Sequence, residues 1–181
     1  MIPEAGHFLL WLALGTALVL AVVPLVGAAR GNVAWMALAR PAALLQFVFV
    51  LGAFACLAAA FVNHDFSVDY VASNSNSALP LYYRLSGVWG GHEGSMLLWQ
   101  VMLVGWTLAV ALFSRHLPQV VVARILSVMG WLAAGFLLFT IFTSNPFERL
   151  VPAVADGRDL NPLLQDPGMI FHPPMLYMGY V

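Results

Sequence analysis

The sequence predicts an all-α polytopic membrane helix bundle, with four full transmembrane helices, the start of a fifth and two long periplasmic loops. Three observations predict it. Hydrophobic residues make up 62% of the chain and charged residues 8%, against about 45–50% and about 25% in a soluble domain. Four apolar runs reach the roughly 20 residues that cross about 30 Å of hydrocarbon. Four of the seven arginines fall on one side of these runs and all eight acids on the other. So few charges could not cover this much apolar surface in water, and a lipid solvent removes the need. Residues 1–181 read as a single membrane domain.

The first run covers about 7–28, and Pro24 inside it is expected to kink the helix. It is not a signal peptide, because Glu4 and His7 stand where a basic segment would precede one, and further spans follow. The second covers about 41–62 and holds Cys56, the only cysteine, which excludes disulfide and cysteine–zinc frameworks within the monomer. The third covers about 94–114, and the fourth about 123–143 with Arg124 at its edge. A fifth run, 168–181, has fourteen residues, and these rise only about 21 Å as a helix. The expectation is a fragment, or a bundle completed by a second polypeptide.

The loop after the first span carries Arg30 and Arg40, and the loop after the third carries Arg115 with Arg124 just beyond; neither holds an acid. The positive-inside rule puts these loops in the cytoplasm and the amino terminus in the periplasm. The net charge is −1 and lysine is absent, so no basic patch exists for nucleic acid.

The two outer loops are the informative parts. Within 63–93, residues 66–71 alternate and suggest a short strand, 73–77 a polar turn, and 80–89 a short interfacial helix. The second loop, 144–167, holds four prolines and should be irregular. Three segments are not needed by helices in lipid: VASNSN at 71–76, WGGHEGS at 89–95 and FHPP at 171–174. His172 precedes Pro173 and Pro174, so the helix is expected to begin after it and leave the imidazole at the mouth of the fifth span. There it suits axial ligation of haem iron; the alternative is a histidine that caps a helix and touches water. His92 could ligate a metal or contact a propionate, and its flanking glycines permit close approach. Glu93 complements a helix dipole. Trp89 is a further candidate contact for a bound group, or an interfacial anchor.

His7, His64 and His116 occupy ordinary interface positions. Trp99 and Trp106 share a helical face and read as packing, and Gln100 should bond to a neighbouring helix. Zinc-protease, phosphate-loop and serine-nucleophile signatures are missing, as is the CxxCH haem-attachment motif.

The strings YVASNSNSALPLYYRLSGVWGGHEGSMLLW, FTSNPFERL and GRDLNPLLQDPGMIFHPPMLYMGYV resemble the CcmF family, the large membrane subunits of the bacterial cytochrome c haem lyase, over the family's amino-terminal portion. The resemblance implies a bacterial inner-membrane protein that receives haem on the periplasmic side and assists its covalent attachment to CxxCH apocytochrome c. It implies haem b as substrate and as resident group of the complete protein. It implies as partners a periplasmic haem chaperone, the apocytochrome, thiol-handling lyase subunits and the remaining carboxy-terminal half. His172 matches the family's first outer histidine, a proposed axial ligand. The second outer histidine, the tryptophan-rich segment and the intramembrane histidines of the resident haem match nothing up to Val181, which implies that this chain alone is inactive. A haem lyase subunit for nitrite-reductase cytochrome, an ion-translocating subunit and a structural subunit remain alternatives; ion translocation would need ionisable groups inside the spans.

Overall fold

The computed structural model describes residues 1–181, apart from the side chains of Leu163 and Met169. Four of its helices are long and apolar enough to cross a membrane. They are α1 (Ile2–Arg30), α3 (Ala39–Val62), α6 (His92–Phe113) and α7 (Gln119–Thr143); a single turn and a half, α2 (Val33–Ala37), leads into α3. Each is apolar all round, as lipid on one side and protein on the other require. The helices begin two to five residues before the expected runs, because they continue through polar ends that hydropathy leaves out, and α6 stops one residue short of the expected 114.

Each of α3 and α7 packs against both α1 and α6, which closes a four-helix bundle. The buried face of α1 runs Gly6, Leu10, Ala13, Leu14, Ala17, Leu20, Ala21, Pro24 and Gly27, a stripe at three- and four-residue spacing. Its small residues let backbones approach, which is how helices associate when lipid is as apolar as their side chains. At Gly130 of α7 a Cβ would stand 2.8 Å from the backbone nitrogen of Ala21, so this crossing admits only glycine. Gln100, buried in α6, donates its amide N–H to the Thr140 hydroxyl of α7, as expected of a polar group in a span. Cys56 is a free thiol.

Arg30, Arg40, Arg115 and Arg124 gather at one end of the bundle, where the Gln119 amide reaches the Val33 carbonyl at 3.3 Å. The acids gather at the other end, where two loops carry the short helices α4 (Asp69–Asn74) and α5 (Leu81–Gly87), a 3₁₀ turn (Pro162–Gln165) and the helix α8 (Pro167–Tyr180). The helix expected at 80–89 is α5. The strand expected at 66–71 is corrected: Phe66, Val68 and Tyr70 are buried in alternation, but Val68 pairs only with Arg149, in one isolated bridge, and α4 begins at Asp69. One partner residue cannot sustain a ladder. The loop 144–167 is irregular apart from the 3₁₀ turn.

The start of the fifth helix is also corrected. The helix α8 begins at Pro167, with the Asp166 carboxylate accepting the Gly168 N–H at 2.8 Å, and it runs through Pro173 and Pro174. His172 therefore lies within α8 and not at its mouth. Proline at the first helical position costs no hydrogen bond, whereas Pro174 cannot donate to the carbonyl of Ile170 four residues back. The Trp89 indole N–H donates to that carbonyl instead, at 3.1 Å.

Candidate functional site

At the acid-bearing end two of the unusual segments, 71–76 and 89–95, meet at buried Tyr70, and the third lies on α8, which Trp89 ties to them. Its hydroxyl donates to the Val88 carbonyl at 3.1 Å and accepts the Gly91 N–H at 2.9 Å. Burial pushes its phenol far above the ordinary tyrosine value, with Glu93 adding to the effect, so it stays a neutral pin. Its ring crowds Gly94, where a Cβ would also stand 1.7 Å from the Val88 carbonyl oxygen. Segment 71–76 and the adjoining Ser77 are then fastened to the second loop: the Arg158 N–H donates to the Ala72 carbonyl at 2.7 Å, and the Ser77 hydroxyl to Asp156 at 2.6 Å. Segment 89–95 is fastened to α8 by Trp89.

This fastening lays α8 beside the start of α6 and opens an apolar groove of about 500 Å³ between α6, α7 and α8, within the range of small-molecule sites. Its walls are His92, Ser95, Met96 and Trp99 of α6, Phe136 of α7, and Leu176, Tyr177 and Tyr180 of α8. A second groove of about 490 Å³ shares His92, Met96 and Phe136 and continues along α7 to Trp131. His92, the first residue of α6, is the polar head of both. Its Nδ1 lies 2.5 Å from the Ser144 hydroxyl, and its ring meets Phe139 edge-on with centroids 5.9 Å apart. Nδ1 is thus engaged and Nε2 is left for another partner.

His172 is exposed and lines neither groove. It sits on the same stripe of α8 as Leu176 and Tyr180, four and eight residues on, both of which line the first groove. Its imidazole has no hydrogen-bond partner among the described residues. An unengaged imidazole one turn from an apolar groove fits a flat apolar group that carries a metal at its centre. Trp89 lines neither groove and spends its N–H on α8, so the structure gives it a positioning part. Trp99, expected only to pack, stacks edge-on against Phe136 with centroids 4.2 Å apart and walls the groove as well. Tyr177, Tyr180 and Ser144 had no signal of their own in the sequence. Helical spacing from His172 points to Tyr180, but only for a helix that runs through the double proline.

Among known proteins, a model of the cytochrome C assembly protein family matches residues 89–181, which include His92 and His172. The cytochrome c-type biogenesis protein CcmF of Pseudomonas aeruginosa is 65% identical over the whole chain, and the chain spans 28% of that protein's length. The cytochrome c-type biogenesis protein NrfE of Haemophilus influenzae is 47% identical over the whole chain and 28% of its own length. A solved structure titled Cytochrome c Heme Lyase CcmF superposes with a TM-score of 0.86 at 27% identity, over 99% of this chain and 28% of that one.

Proposed function

Because this chain belongs to the cytochrome c assembly protein family, we propose that it forms the haem-receiving wall of a membrane haem lyase, with His172 supplying an axial imidazole to the incoming haem. The observation that carries this reading is the α8 stripe that joins exposed His172 to the apolar groove through Leu176 and Tyr180. A haem held there has an apolar wall for its ring and a nitrogen for its iron. Haem arrives on the periplasmic side from a carrier protein of that compartment, and the lyase joins it to the thiols of a CxxCH apocytochrome. Ser144 and Phe139 fix the ring of His92 at the head of the groove, where it meets either the iron or a propionate. The higher identity to CcmF than to NrfE favours a general cytochrome c lyase over a nitrite-reductase one. The acid-bearing end faces the periplasm of an inner-membrane protein, by the positive-inside rule.

The test is His172→Ala in the full-length protein, with His172→Cys as a variant that keeps a metal ligand. Since His172 is exposed, we expect near-normal abundance, a sharp loss of matured cytochrome c with Ala, and partial rescue by added imidazole. Unaltered maturation with Ala would remove the ligand role, and a collapse of abundance would make the role structural.

A further inference from the structure

The opposite end of the bundle carries a second, unlike cavity. It holds about 330 Å³ and is lined by Arg40, Arg115, Gln119, Met36, Leu117 and Val122 among others. Three parts of the chain build it: the α2–α3 junction, the α6–α7 loop and the start of α7. No acid occurs between Glu4 and Asp65 or between Glu93 and Glu148, the stretches that make this end. The ion pairs among the described residues all involve Glu4 or Asp65 at the other end. The charges of Arg40 and Arg115 are therefore uncompensated within the chain.

Two features lie next to the residues that line the cavity. Pro118 caps α7 without a side-chain hydrogen bond, so the positive end of a 25-residue helix opens here. The Ser114 hydroxyl, next to Arg115, is buried without a partner, while the Ser114 carbonyl accepts the Arg40 guanidinium at 3.5 Å. Arg30, by contrast, has its guanidinium over the Trp35 ring at 5.9 Å and lines no part of the cavity. The setting also fixes the source of the anion. The cavity lies where the spans leave the bilayer, and Met36, Leu117 and Val122 give it an apolar wall beside its two cations. Basic pockets at such a depth take phospholipid headgroups.

We infer that this cavity seats the phosphate headgroup of an anionic phospholipid between Arg40 and Arg115. The bound lipid bridges the α2–α3 and α6–α7 connections and supplies the negative charge that this end of the chain lacks.

The experiment uses the full-length protein in bilayers of phosphatidylcholine with a minor share of phosphatidylglycerol, followed by native mass spectrometry of lipid retained in mild detergent. The variant pair is Arg40→Gln with Arg115→Gln. The control pair is Arg30→Gln with Arg124→Gln, which removes the same charge from the same end. We expect the parent and control to retain phosphatidylglycerol, and the cavity pair to bind it about thirtyfold more weakly, the factor that two surface cations supply. Equal loss in both pairs, or persistence in the cavity pair, overturns the inference. Inorganic phosphate alone should not displace the lipid; displacement overturns the lipid assignment. Should the cavity pair aggregate, salt decides: raising ionic strength from about 0.1 M to about 1 M screens the contact and should release the lipid from the parent, and insensitivity overturns the inference.

Discussion

Ile170 and Pro174 stand one helical turn apart, and that spacing gives Trp89 its task. The carbonyl of Ile170 loses its donor to the proline ring, and an indole N–H from 81 residues earlier in the chain restores it. Trp89→Phe keeps most of the apolar contact and removes only the donor. A carbonyl left without a partner away from water costs about 1–3 kcal/mol. In the full-length protein we therefore expect amide exchange across α8 to quicken by roughly 5- to 150-fold, with the exchange of α1 and α3 unchanged; equal protection of α8 in variant and parent would show the bond to be idle. This contact is also one that no local pattern in the sequence encodes. Local backbone preference at His172-Pro173-Pro174 argues for a helix start, and nothing near those residues announces a distant donor that lets the helix run through. His172 and His92 stood out in sequence because histidines beside prolines and glycines have no use in lipid. Ser144, which holds the ring of His92, did not, because a serine at a helix end is ordinary.

Among the elements, the four spans were legible because hydropathy over 20 residues needs no knowledge of neighbours, while the outer loops were legible only in part. The alternation at 66–71 reported burial correctly, but whether a strand forms depends on a partner segment, and Arg149 alone answers. The joint between these loops has a pH dependence of known sign. The Asp156 carboxylate accepts the Ser77 hydroxyl at 2.6 Å, the Ser77 N–H at 3.0 Å and the Gly157 N–H at 2.8 Å. These bonds, the Ser77 hydroxyl first, hold its pKa below the ordinary aspartate value. A lowered folded value means the joint is fully stabilised above the unfolded value of about 3.9 and loses that support as pH falls through the folded one. Limited proteolysis of the 150–166 loop, followed from neutral to acid pH, should accelerate below about pH 4. Asp156→Asn should abolish that acid step; a step of the same size in the variant would assign it to another group.

For the whole molecule, the proposed orientation rests on four arginines at one end of the bundle and eight acids at the other. Reporter fusions at Asn32 and Gln119 should be cytoplasmic, and fusions at Ser75 and Gly157 periplasmic; the reversed pattern would turn the protein over. The pairs are internally consistent, since Gln119 bonds to Val33 at one end, and a Cβ on Gly157 would lie 2.0 Å from the Ser75 carbonyl oxygen at the other. The packing of α1 against α7 has a consequence in time. Arg30 ends α1 and Gln119 begins α7, so a ribosome adding about 5–20 residues per second needs roughly 4–18 s to supply the second after finishing the first. During that wait the part of α1 around Ala21 that α7 will cover faces lipid tails, which solvate it as well as α7 will. A newly made α1 therefore has no urgent need of a chaperone for that face. The glycine at position 130 decides, seconds later, whether its late partner can come close enough to stay.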